Sequence, residues 1–113
     1  MKVLIYTEKE FERQLKHLSK KYHSIADDYD TFLDELEKDP YQGNCLGKGV
    51  RKVRMAIEAK GKGKSGGARV ITYNLEQNGD TIVIDLLTIY DKGEISNVSD
   101  NFIKYLLDNR KQI

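Results

Sequence analysis

Ile82-Val83-Ile84-Asp85-Leu86-Leu87-Thr88-Ile89 restricts the fold more than any other stretch, because it is apolar on both faces of an extended chain. A strand of that kind needs cover above and below, so it belongs at the centre of a sheet. The run is too short, and too interrupted by Asp85, to cross a bilayer. The first residues carry no secretory signal pattern, and the expected location is the cytoplasm. At 113 residues, one domain spanning 1–113 with a single core is expected.

Periodicity supplies the neighbours. Lys2-Val3-Leu4-Ile5-Tyr6 reads as a short first strand. Thr7 followed by Glu10 has capping-box spacing, and Phe11, Leu15, Leu18 and Tyr22 predict a helix over about residues 8 to 21. Ser24 opens a second helix with the stripe Ile25, Tyr29, Phe32, Leu33 and Leu36, stopped by Asp39-Pro40. After a turn-rich stretch over 41–49, Val53, Met55 and Ile57 alternate with Lys52 and Arg54, giving a half-buried strand with a basic outer face. Two more strands, over 69–75 and 81–90, join through Gln77-Asn78-Gly79-Asp80, whose Asn-Gly is a hairpin signal. Ser99 caps a C-terminal helix bearing Phe102, Ile103, Leu106 and Leu107. The order β-α-α-β-β-β-α predicts an α+β fold: an N-terminal helical hairpin packed on one face of a small antiparallel sheet, a C-terminal helix, and the other face partly open.

Net charge is only +1, yet residues 47–73 hold eight Lys/Arg against one acidic residue. Within them, Lys60-Gly61-Lys62-Gly63-Lys64-Ser65-Gly66-Gly67-Ala68-Arg69 contains G-x-G-x-x-G. The loop runs into a strand, however, so no helix N-terminus faces it, and Glu58 stands where a Walker A loop needs glycine. No nucleotide cofactor is expected. No metal is expected either: Cys45 is alone and reads as a small, partly buried side chain beside a turn, and His17 and His23 belong with the helices. Asp85 and Asp91 are too few for a two-metal site.

The cations are expected to converge on the open sheet face. Lys52 and Arg54 lie on one strand, Arg69 on its neighbour and Lys92 just past the last strand, with Lys60, Lys62 and Lys64 on an overhanging flexible loop. Guanidinium forks grip phosphate oxygens, so such a face suits a polyanion. RNA fits best, since its 2′-hydroxyl attacks the adjacent phosphorus in line with no metal required. Arg54 and Arg69 read as phosphate and transition-state clamps, while Lys52 and Arg51 steer the strand. One lysine among Lys60, Lys62, Lys64 and Lys92 is the expected proton acceptor, because crowded positive charge favours its neutral form. Tyr73 and Tyr90 are open to two readings, sheet packing or stacking on a base.

The segments "GVRKVRMAIEAKGKGKSGGARVITY" and "LLTIYDKGEISNVSD", with the C-terminal helix after them, resemble the RelE/ParE toxin superfamily, closest to its HigB-like branch. The likeness covers most of the chain. It implies a toxin of a type II toxin–antitoxin module, an mRNA interferase that cleaves messenger RNA on the translating ribosome and so inhibits translation. By position, the family's basic strand pair falls on Lys52 and Arg54, its next-strand arginine on Arg69 and its post-strand lysine on Lys92. RelE itself has an arginine where this chain has Gly93 and a tyrosine near Ser99, so its acid and base are not carried over. The lysine loop has counterparts in HigB-like relatives. As partner, the resemblance implies a cognate antitoxin, a HigA-like helix-turn-helix protein. ParE-like relatives share the fold and inhibit DNA gyrase instead, and an inactive relative that only engages its antitoxin is the remaining alternative.

Overall fold

The computed structural model describes residues 1–111. Among the described residues, five strands and three α-helices follow one another as β1 (Lys2–Thr7), α1 (Lys9–Lys21), α2 (Ile25–Lys38), β2 (Asn44–Gly47), β3 (Val50–Met55), β4 (Ala68–Gln77), β5 (Thr81–Asp91) and α3 (Asp100–Asp108), with a 3-10 turn at Glu58–Lys60. The sheet order is β1-β5-β4-β3-β2. The fold is α+β, with β5 interior and buried along nearly its whole length, as its two apolar faces require.

The sheet is mixed, which corrects the antiparallel expectation. β2 through β5 alternate in direction, but β1 runs parallel to β5, from Lys2 opposite Thr81 to Thr7 opposite Leu86. The unforeseen strand is β2. Counting the alternation back from β5 makes β2 run opposite to β1, a reversal that the sequence order lacked. Cys45 lies on this edge strand and is exposed, not partly buried.

Helix starts differ from expectation too. Thr7 Oγ1 donates to Glu12 rather than capping α1, and Ser24 Oγ donates to Asp28 while accepting from Ala59 N. Ser99 does cap α3, accepting from Phe102 N at 3.0 Å. At the β4–β5 turn, Asn78 and Gly79 both take positive φ, 53° and 76°, the conformation a tight hairpin needs.

Two cores result. Phe11, Leu18, Ile25, Phe32 and Leu36 of α1 and α2 pack on Val53, Met55, Val70, Ile82, Ile84, Leu86 and Ile89. On the opposite face, Val50, Ile71, Leu87 and Tyr90 meet Leu106 of α3, flanked by Tyr73, Phe102 and Ile103. That face is therefore partly roofed by α3. A bulge at Leu87 decides which side chain goes where: Ile71 pairs with Thr88 and Thr72 with Leu86, leaving Leu87 as the extra residue. The alternation slips by one, so Leu86 and Ile89 share the α1/α2 face while Leu87 and Tyr90 share the other.

Asp85 is the one charged residue type in the middle of β5, and it is fully buried. Among the described residues neither of its oxygens meets a donor from elsewhere, and a hydrogen bond shared with the buried Glu8 carboxyl joins the two acids. Burial first, then Glu8, push Asp85 up to about 8, opposed by the charge of Arg110. Arg110 stacks on the Tyr73 ring at 4.4 Å, and Lys111 N donates to Glu8 at 2.8 Å. The folded chain thus keeps a proton that the unfolded chain releases above about pH 4. Its stabilising contribution is complete below that pH and disappears as pH rises through about 8. Denaturation midpoints should accordingly fall between about pH 5 and pH 8, and Asp85→Asn should flatten that slope. Equal slopes for the two proteins would contradict the assignment.

Candidate nucleic-acid interface

The pairing register builds a row across the sheet. Arg69 pairs with Arg54 on one side and with Tyr90 on the other. Val50, Ile71 and Tyr90 mark this as the α3 face, and strand alternation places Lys52, Arg54 and Arg69 on it beyond the helix. Lys52 Nζ donates to Asn97 Oδ1 at 3.1 Å, and Tyr90 OH lies 3.5 Å from the same oxygen. Four of the expected residues, Lys52, Arg54, Arg69 and Tyr90, therefore stand together.

Arg69 is 7% exposed, an unusual position for a guanidinium. Its Nη1 donates to the carbonyls of Lys64 at 3.0 Å and Ala68 at 3.1 Å, and its Nη2 to that of Ser65 at 3.0 Å. Most of its donors thus hold the end of the lysine loop, and its charge, more than its hydrogen bonds, is what it offers the surface. Burial first, then the charge of Arg54, lower its proton affinity, with Tyr90 opposing. Burial pushes Tyr90 up against the pull of Arg69, so the phenol keeps its proton at neutral pH and remains a donor.

Arg54 is exposed and makes no ion pair among the described residues. It opens with Lys52 onto a polar hollow of about 390 Å³, bounded by Gln42, Gly43 and Asn44 on one side and Lys64 of the loop on the other. Lys64, at the rim of this hollow, also pairs with Glu35 at 3.1 Å. Lys62 is exposed on the loop. Lys92 is exposed where β5 ends, its N–H bonded to Gly67 O at 3.1 Å.

Three expected residues lie elsewhere. Lys60 Nζ is 2.6 Å from Asp91 Oδ1, and the same carboxylate accepts from Tyr22 OH at 2.6 Å and Gly93 N at 2.8 Å. Burial alone would raise Asp91, but Lys60, Tyr22 and Gly93 hold it well below the usual carboxylate range. The bulge at Leu87 sends Asp91 to the α1/α2 face, and Lys60 follows it. Arg51 donates to the carbonyls of Gln42 and Gly43 at 3.1 and 3.0 Å and so fastens the segment after α2. Tyr73 packs beneath α3, with Arg110 over its ring. Asn97 escaped the sequence reading, since nothing in the periodicity of 93–98 marks it.

The loop is less free than a flap. It starts with a 3-10 turn, passes Gly61 and Gly63 at φ of 69° and 63°, and ends at Gly67, which is buried. A Cβ at Gly67 would lie 2.2 Å from Met55 O, so only glycine lets β4 begin this close to β3. No protein-family model matches the chain. Among the described residues, no helix is long and apolar enough to cross a membrane.

Two expectations follow from this geometry. Gly67→Ala should lower stability by about 2 kcal/mol or more, measured by chemical denaturation, because neither backbone can yield cheaply. An unchanged midpoint would contradict it. Arg69→Ala should free the loop and speed tryptic cleavage after Lys62 and Lys64 by about tenfold, since local opening governs proteolysis. Arg69→Lys should not restore protection, because one ammonium cannot span the three carbonyls; wild-type digestion rates in either variant would show that the loop is held by other contacts.

Proposed function

We propose that this chain is a metal-independent endoribonuclease that cuts messenger RNA on the translating ribosome, acting as the toxin of a type II toxin–antitoxin module of the RelE/ParE superfamily, HigB-like branch. The observation that carries this reading is the row Arg54–Arg69–Tyr90 with Lys52 beside it: three cations and a phenol on one sheet face, next to a polar hollow. Such a face matches a single-stranded phosphodiester chain.

In the proposed reaction, Arg54 and Lys52 hold the scissile phosphate and the buried charge of Arg69 stabilises its developing negative charge. The 2′-hydroxyl loses its proton to a lysine, Lys64 at the rim of the hollow or Lys92 just past the end of β5, and its oxygen attacks phosphorus. The bond to the 5′ oxygen breaks, leaving a 2′,3′-cyclic phosphate, and Tyr90 supplies the proton that the 5′ oxygen takes up. The ribosome presents the message in the geometry for in-line attack, an orientation effect that naked RNA lacks. A cytoplasmic location and a HigA-like helix-turn-helix antitoxin, whose acidic segments would cover the cationic row, belong to the same reading.

Inducing the gene and mapping transcript 5′ ends tests it. Rapid arrest of protein synthesis with messages cut inside codons is expected, and Arg54→Ala should abolish both while the purified variant melts like the parent. DNA damage with intact messages would replace the nuclease by a gyrase-directed activity.

A further inference from the structure

The helical hairpin carries a second charge pattern for which the nuclease reading has no use. On α1, Lys9, Arg13, Lys16 and Lys20 recur at helical spacing and are all exposed, forming one basic line. On α2, Asp27, Asp30, Asp34 and Glu37 form an equally exposed acidic line. Between the helices runs a groove of about 400 Å³ floored by Leu15, Ile25, Ala26 and Tyr29, with Lys16 on the α1 wall and Asp30 on the α2 wall. Arg13 is bonded to Glu10 of its own helix. The other seven charges make no ion pair among the described residues. Opposite charges on adjacent helices of one hairpin thus turn to solvent without meeting, on either side of an apolar strip.

We propose that this groove is the contact surface of a homodimer, in which the helical hairpin of a second copy lies over it about a two-fold axis running along the groove. The charges select both the occupant and the axis. An axis across the groove would set basic line on basic line. An axis along it exchanges the walls, so Lys16 of each copy faces Asp30 of the partner subunit and the two apolar strips close on each other. A two-fold contact uses one patch twice, and a patch with both signs flanking an apolar centre is complementary to itself. Glu12, the acidic residue on the basic wall, is held by the Thr7 hydroxyl at 2.5 Å and is outnumbered on that helix face by Lys9, Arg13, Lys16 and Lys20.

The size of the patch sets the strength. Helices of 13 and 14 residues cover on the order of 400 Å² per copy, about 800 Å² in all, below the range of standard stable interfaces. The dimer is therefore weak and salt-sensitive. Because the hairpin covers one sheet face and the cationic row lies on the other, dimerisation leaves that row accessible.

Sedimentation equilibrium of the full chain from about 10 μM to about 1 mM, at about 50 and 500 mM salt, is the test. A concentration-dependent dimer that weakens with salt is expected. Lys16→Glu and Asp30→Lys should each weaken it roughly tenfold, since each reversal places two like-charge pairs across the contact. The double variant Lys16→Glu/Asp30→Lys should recover the parent affinity to within about threefold, because the pairs re-form with their signs exchanged. Both sites are exposed, and melting curves confirm that each variant folds. A monomer throughout, a dimer indifferent to the reversals, or a double variant no better than the singles overturns the proposal. So does a monomeric chain whose binding of an antitoxin helix follows the same charge reversals, which would give the groove to that helix.

Discussion

Burial of β5 on both faces is the constraint on which the rest of the structure depends. An interior strand with apolar residues on each face needs two covering layers, and the chain supplies them from its two ends: α1 and α2 on one side, α3 on the other. The bulge at Leu87 then assigns the polar residues at the strand's end. It turns Tyr90 toward Arg69 and Asp91 toward Lys60 and Tyr22. A regular strand would have exchanged the two, giving the cationic row a carboxylate and leaving the half-buried Lys60 without one.

The row itself works against stability. Arg54 and Arg69 are directly opposed across two strands, a like-charge pairing that sheets ordinarily avoid, and Arg69 is almost wholly removed from water. The loop carbonyls of Lys64 and Ser65, with that of Ala68 at the start of β4, offset its lost hydration. The same bonds fold the lysine loop back against the sheet, so one buried cation both charges the face and shapes its rim.

Much of this was legible in the sequence, and the rest was not for identifiable reasons. Helical stripes, the Asn78-Gly79 hairpin, the stop before Pro40 and the centrality of β5 were all readable, because period and turn chemistry are local properties. Alternation correctly put Lys52 and Arg54 on one face and Arg69 on the neighbouring strand. The bulge was invisible, since an extra residue in an apolar run changes no local signal, and so was the turn of Asp91 toward Lys60 that it causes. β2, four exposed residues long, has too little hydrophobic pattern to announce itself, and without it the parallel β1–β5 pairing could not be foreseen. Residue type alone suggested that Arg51 steers RNA, and could not show that the carbonyls of Gln42 and Gly43 supply its partners, nor that Tyr73, open to packing or stacking, lies under α3 and Arg110.

The most direct measurement of the central claim uses a message carrying a single 2′-deoxynucleotide immediately 5′ of a mapped cut, translated in a reconstituted system with the purified chain. Attack by the neighbouring hydroxyl at a cation-held phosphate predicts that cleavage at that bond disappears while neighbouring cuts persist, and that the all-ribose message yields a 2′,3′-cyclic phosphate end. Undiminished cutting beside the 2′-deoxynucleotide would contradict it.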